Sequence, residues 1–322
     1  MPLNEKSKKT LNFFLRIGLT LILLGYLYHK VDIEKTKEVL LASKMIFIWQ
    51  AALLFVVING LLLVRWFVFI KALDLEVRAL SVVRYFFVGL FGNLFLPSSM
   101  GGDFMRILGL CKETHHKTRV VASVLLDRLS GFVAIVLIAI GALILGYRHI
   151  DEKSLVTPVI ALGVVFSLFI AVLFSEKVFS FGCRIFDKIP KVKANLMKMH
   201  YDIALLKNRK RQAVEALFLS CVSQLLFCLC FCLVARGMHQ NTPVIYFLIF
   251  VPLICVISSL PSIGGLGVRE AGAAYLFSRV GMDPGIAVSI SLINFLFMVI
   301  IGLIGGLIYV VTFSPGRVQH HS

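Results

Sequence analysis

Acidic residues are scarce in this 322-residue sequence: 17 Asp and Glu stand against 33 Lys and Arg, for a formal net charge of +16. Charged residues of both signs make up only 16%, while 59% are apolar and the mean hydropathy is +0.92. A soluble domain carries about 25% charge and about 45–50% apolar residues. This deficit excludes an ordinary soluble enzyme, a disordered regulator and a secreted scaffold. The seven cysteines contain no C-x-x-C pair, and Cys221, Cys228, Cys230 and Cys232 share one apolar run. They read as small buried hydrophobes rather than as a disulfide or zinc framework. Three further motifs are missing: G-x-x-x-x-G-K-[ST], H-E-x-x-H and G-x-S-x-G. P-loop nucleotide binding, zincin chemistry and a nucleophile elbow are thereby excluded. Gly264-Gly265-Leu266-Gly267 lacks the full G-x-G-x-x-G and any βαβ setting. No metal site and no cofactor is expected. No basic–aromatic interleaving suggests nucleic acid.

Apolar runs fill the space that charge leaves. A membrane span takes about 20 apolar residues, and eight runs are present: 11–29, 45–70, 81–96, 118–147, 155–175, 213–236, 244–260 and 285–313. The whole chain, 1–322, reads as a single all-α polytopic transmembrane domain. Lys6, Lys8 and Lys9 precede the first run, but no small-residue cleavage site follows, so it reads as a span. Segment 176–212 is basic and amphipathic, with ten Lys and Arg between Lys177 and Arg211. It is expected on the cytoplasmic side, against anionic lipid headgroups.

Two runs are interrupted. One reads Asn93-Leu94-Phe95-Leu96-Pro97-Ser98-Ser99-Met100-Gly101-Gly102-Asp103-Phe104-Met105-Arg106. The other reads Ser259-Leu260-Pro261-Ser262-Ile263-Gly264-Gly265-Leu266-Gly267-Val268-Arg269-Glu270. In each, an apolar helix meets Pro-Ser, then a Gly-Gly pair, then an acid and an Arg. Proline stops a helix and glycine permits a tight turn. Irregular backbone at membrane depth is tolerated only under protein or beside a water-filled cavity. Such a pair of breaks, in corresponding halves, points to a transporter site. The expected architecture is about six full spans plus two re-entrant hairpins in an inverted repeat, 45–147 and 213–313. The first hairpin enters from the cytoplasm along 81–97 and returns along 103–117. The second enters from outside along 244–260 and returns along 268–281. Both termini then fall on the cytoplasmic side of the cytoplasmic membrane.

Charge at membrane depth is expensive and usually functional. Asp127 and Arg128 lie nine or ten residues into the span that starts at Thr118, and Arg65 sits inside the end of its own span. Asp103 and Arg106 flank the first break at i, i+3; Arg269 and Glu270 follow the second. All are expected at one cavity between the halves. The half-helices starting near Gly102 and Gly267 offer free N–H groups and a positive dipole end to an anion. Arg65, Arg106, Arg128 and Arg269 read as phosphate clamps. Asp103, Asp127 and Glu270 hold those arginines, meet a cationic headgroup or carry a proton. Neighbours on a helix do not face each other, so Asp127 and Arg128 need separate partners. Asn93, Ser98, Ser262 and Asn294 suit helix-end capping or interhelical hydrogen bonds.

Through Asn93-x-x-x-Pro97, Gly102-Asp103-x-x-Arg106, Asp127-Arg128 and Pro261-Ser262-x-Gly264-Gly265-x-Gly267-x-x-Glu270, the sequence resembles the lysylphosphatidylglycerol synthase transmembrane-region family. These are also called flippase-like domain proteins, and the likeness runs over about residues 10–313. Relatives often carry Glu-Arg at the Asp127-Arg128 position. In the multiple peptide resistance factor branch this region is the flippase part that moves aminoacylated phosphatidylglycerol between leaflets, and a separate soluble domain makes the lipid. No such synthase domain is expected here. The resemblance implies a non-enzymatic transporter of a phospholipid or polyprenyl-linked lipid, passive or ion-coupled. Substrate contacts would come from Arg65, Asn93, Ser98, Asp103, Arg106, Asp127, Arg128, Ser262, Arg269 and Glu270. The helix breaks would lie at Pro97, Gly101, Gly102, Pro261, Gly264, Gly265 and Gly267. The alternatives are an integral membrane transferase on a lipid-linked donor, or a non-catalytic partner of one. A homo-oligomer stays open.

Overall fold

The computed structural model describes residues 42–95, 101–146, 209–259 and 265–313, with 160, 161, 163 and 164 between them. The expected spans 11–29 and, but for those four residues, 155–175 lie outside the described residues. So do the basic stretch up to 208, Pro97, Ser98, Pro261, Ser262 and Gly264.

Every regular element among the described residues is a helix. In chain order they are α1 Met45–Ala72, α2 Ala79–Phe95, α3 Gly101–Leu110, α4 Lys117–Gly146, α5 Lys210–Gly237, α6 Val244–Ile257, α7 Val268–Ser278 and α8 Pro284–Phe313. Four are long and apolar enough to cross a membrane: α1, α4, α5 and α8, each of 28 or 30 residues. These coincide with four of the six expected full spans. Their outward faces are apolar too, as Trp49, Leu53, Ile144, Leu145, Phe218 and Leu307 show. A helix apolar all round belongs in a large core or in lipid, and the bundle is a polytopic membrane protein.

The shorter helices are hairpin arms. With 17 and 14 residues, α2 and α6 are about 26 and 21 Å long at a 1.5 Å rise, less than the ~30 Å hydrocarbon core. α2 and α3 run antiparallel and nearly touch. A Cβ on Gly102 would stand 2.0 Å from the Gly89 carbonyl oxygen, and one on Gly109 2.2 Å from the Tyr85 ring. α6 and α7 pair likewise, Gly272 against Ile257 and Phe277 against Phe247 and Phe250.

α1 lies antiparallel along α5: Lys44 N–H donates to Gly237 O at one end, Cys230 reaches Ala51 O, and Arg65 reaches Ser220 towards the other. The other packed pairs come in matched sets. α2–α3 corresponds to α6–α7, α3–α4 to α7–α8, α1–α2 to α5–α6 and α1–α4 to α5–α8. Likewise α2–α8 corresponds to α4–α6, and α1–α8 to α4–α5. One apolar core is centred on α5, α6 and α7, with Phe231, Phe247, Phe250 and Phe277 fully buried. A second sits under the first hairpin, around Trp66, Phe69, Phe86 and Leu110.

Charge distinguishes the two ends. The end where α1 finishes and α5 begins gathers Lys71, Arg78, Lys112, Lys117, Arg119, Arg209, Lys210 and Arg211. There Arg209 pairs with Asp74, and Arg119 donates to Leu73 O at 3.3 Å. The opposite end carries Lys44, Arg236 and Arg279 among the described residues.

Candidate functional site

Asp127 sits ten residues into α4, about 15 Å along it. Its carboxylate joins two elements. Arg65 of α1 donates Nε to Oδ1 at 2.7 Å, and Arg106 of α3 approaches Oδ2 at 3.4 Å. Arg65 also donates to Ser220 Oγ of α5 at 3.1 Å, and Ser220 in turn donates to Ala216 O. Arg106 lies between two rings, 5.2 Å from the centroid of Trp66 and 4.5 Å from that of Phe86. Such cation–π contacts strengthen when desolvated. Trp66 is held by its own hydrogen bond to Ser123 Oγ at 3.3 Å.

The lattice continues through Asp103 of α3, which accepts from Arg128 Nε of α4 and lies 3.9 Å from Arg106 Nη1. Arg65, Asp103, Arg106 and Asp127 are 4–7% exposed, whereas the Arg128 side chain is 39% exposed. Asp103 Oδ1 and Arg106 Nε are buried without a hydrogen-bond partner. Four helices thus bring together three arginines and two aspartates. Asp127 and Arg128, neighbours in the chain, do serve separate partners.

The second group is compact. Glu270, 0% exposed, lies in the first turn of α7 and folds back, so that Oε2 accepts the Gly267 N–H at 2.7 Å. Its Oε1 receives Arg269 Nε at 2.9 Å and Ser291 Oγ of α8 at 3.2 Å. Arg269 also donates to Ser291 and stacks 4.7 Å over Phe295. Neighbours meet here because Glu270 is turned towards the helix start, not along a helix face. Gly267 is the hinge: its φ of +81° is left-handed backbone that glycine adopts without strain.

Two expectations change. The charged residues form two groups rather than one, and no ion pair or hydrogen bond among the described residues joins them. α5 packs against α1, α4, α6 and α8, and one turn beyond Ser220 its Gln224 Nε2 lies 3.9 Å from the Cys228 thiol of the same helix. Nor are the half-helix starts free. Asn93 Oδ1 accepts the Gly102 N–H at 2.9 Å and Glu270 takes that of Gly267. One N–H of each start is thereby taken from within, because a buried N–H left unpaired is costly. Asn294 bonds Ile290 O and receives Cys230 Sγ, linking α8 to α5. Gly101 and Gly102 open α3, and Gly265 and Gly267 precede α7. Ser98, Ser262, Pro97, Pro261 and Gly264 lie outside the described residues.

Sequence reasoning missed Ser220, Ser123, Ser291 and the ring pair Trp66 and Phe86. Serines in an apolar helix are common and usually bond their own backbone. Only their meeting with an arginine or an indole sets these apart, and that meeting is tertiary.

The protein is an α-helical membrane bundle with short antiparallel hairpins and interior acid–arginine groups. The model of the lysylphosphatidylglycerol synthase transmembrane region matches residues 13–306, and the chain belongs to that family. It is 24% identical over 313 residues to a UPF0104 membrane protein of Pyrococcus horikoshii, covering 89% of this chain and 92% of the relative. No solved structure matches the chain.

Proposed function

We propose that this protein is a lipid transporter of the cytoplasmic membrane. It holds an anionic or zwitterionic headgroup, phospholipid or polyprenyl phosphate, while the acyl chains stay in lipid. The observation that carries this reading is the acid–arginine lattice under the first hairpin, in which three arginines face two aspartates and Arg128 is the exposed member. A planar guanidinium grips a phosphate in two bonds. The matched helix contacts and the antiparallel α1–α5 pair support an inverted repeat, with α2–α3 and α6–α7 entering from opposite faces. The basic end supports a cytoplasmic assignment for the α2–α3 side and for the end of α8. Cysteines placed at Lys112 and at Arg279 are expected to label from opposite sides; labelling from one side overturns the inverted arrangement.

The decisive experiment is headgroup translocation in proteoliposomes. Wild-type protein moves a labelled lipid between leaflets, whereas Arg128→Ala and Glu270→Ala abolish movement and remain folded. Wild-type protein that moves none of several phospholipids or polyprenyl phosphates sinks the proposal. A transferase is the second reading, favoured by the buried Asp103 Oδ1 that accepts no hydrogen bond and suits a general base. Lipid mass spectrometry separates the two. A new covalent lipid species supports the transferase; a changed leaflet distribution alone supports the transporter.

A further inference from the structure

The end of the bundle away from the basic turns is poor in charge, yet two of its three described cations converge. A cavity of about 570 Å³ opens there between the start of α1 and the turn joining α5 to α6. Lys44 and Arg236 line it, with His239, Asn241 and Thr242 as further polar groups and Phe47 as an apolar wall. No acid lines it. Asp283, an acid of this end, is committed to the start of α8, where Oδ1 accepts the Gly285 N–H at 2.8 Å.

The cavity's frame is held from both sides. Lys44 N–H donates to Gly237 O at 2.9 Å, and the His239 ring contacts Ala42 O at 3.1 Å. His239 adopts a φ of +59°, a left-handed conformation uncommon for a side-chain-bearing residue. Trp49, 73% exposed, projects from the first turns of α1 at this same end. Exposed tryptophan favours the level of lipid headgroups, the level at which phosphates would meet the cavity.

We propose that this cavity is an anion site that takes a phosphate ester. Lys44 and Arg236 supply the charge, and His239, Asn241 and Thr242 supply hydrogen-bonding groups. It is separate from the interior lattice and does not depend on the transport reading. Its ligand is either the phosphate of a surface lipid or a free phosphate.

The test is equilibrium binding to the full chain in detergent, with water-soluble dihexanoyl phosphatidylglycerol and with inorganic phosphate as probes. Saturable binding is expected, weakened at least tenfold in Lys44→Gln/Arg236→Gln. It should be retained within about threefold, about 0.7 kcal/mol, in the charge-conserving Lys44→Arg/Arg236→Lys. Arg279→Gln, at the same end but outside the cavity, should bind as wild type. Tighter binding of the lipid than of phosphate assigns the site to a headgroup. Equal binding assigns it to the free anion. The proposal is overturned if the Gln pair binds as wild type, if Arg279→Gln loses as much, or if the charge-conserving pair loses as much.

Discussion

Arg65, Arg106 and Arg128 find their carboxylates 62, 21 and 25 residues away in the chain, whereas Arg269 finds its own in the very next residue. Both solutions neutralise charge where hydration is lost, but they depend on different things. The lattice around Asp127 needs α1, α3, α4 and α5 in place together. The Arg269–Glu270 pair needs little more than the first turn of α7 and one serine of α8. A displacement of the first hairpin against α4 must therefore break Asp103–Arg128, while the second can move as a body with its pair intact. The lattice reports on tertiary arrangement and the pair on local structure.

The sharpest way to break this comparison is at Asp127. Asp127→Ala leaves Arg65 and Arg106 buried without their shared carboxylate. Removing one partner of a buried ion pair costs about 3–5 kcal/mol. A large drop in melting temperature in detergent is expected. Asp127→Glu, which keeps the charge on a side chain one methylene longer, should restore most of it. An unchanged melt for Asp127→Ala means that the lattice does not hold the four helices together.

Glu270→Ala should cost less, about 2 kcal/mol, the upper range for a lost N-terminal cap. Arg269 loses its carboxylate but keeps Ser291 and the Phe295 ring, whereas Asp127→Ala strips the shared carboxylate from two arginines at once. If Glu270→Ala destabilises as much as Asp127→Ala, the contrast between tertiary and local neutralisation fails.

What was legible in the sequence follows the same line. Long apolar runs gave α1, α4, α5 and α8 to within three residues at every end, because hydrophobic periodicity is a local property. The breaks were legible because Pro and Gly act on their own backbone. The return arms were set too long: α3 stops at Leu110 and α7 at Ser278, since turn residues such as Lys112 and Gly281 do not announce where apolar pairing ends. Each charged residue was identifiable from its rarity in an apolar segment. Which arginine meets which aspartate was not, because Arg65 and Asp127 lie on separate helices and no spacing rule connects them. At each helix start one N–H is taken for a local reason: the side chains that accept it, Asn93 and Glu270, are part of the same motifs.

Packing offers a smaller and two-signed test. Gly305 of α8 faces α2 so closely that a Cβ would stand 2.0 Å from Phe87 O, while Gly141 of α4 has nothing within 4 Å. Close helix approach of this kind uses small residues. Gly305→Ala should cost about 1–3 kcal/mol through overpacking. Gly141→Ala should stabilise by about 0.5–1 kcal/mol, because only the helix-entropy term operates there. Melting both variants checks the α2–α8 contact without touching a charge.

The smallest effect is expected where the lattice's chemistry is repeated in water. Arg209 and Asp74 form a two-pronged pair at 3.0 and 2.9 Å, but their side chains are 44% and 60% exposed. Exposed pairs contribute about 0–1 kcal/mol, because water already solvates both ions and salt screens them. Asp74 has a φ of +48°, which asparagine tolerates as readily. Asp74→Asn therefore removes the charge and leaves the turn unstrained. It should shift the melt only slightly, and less at high salt than at low. The same guanidinium–carboxylate contact that ranks first at Asp127 then ranks last here. What separates them is not the geometry of the pair but whether either partner has water to return to once the other is gone.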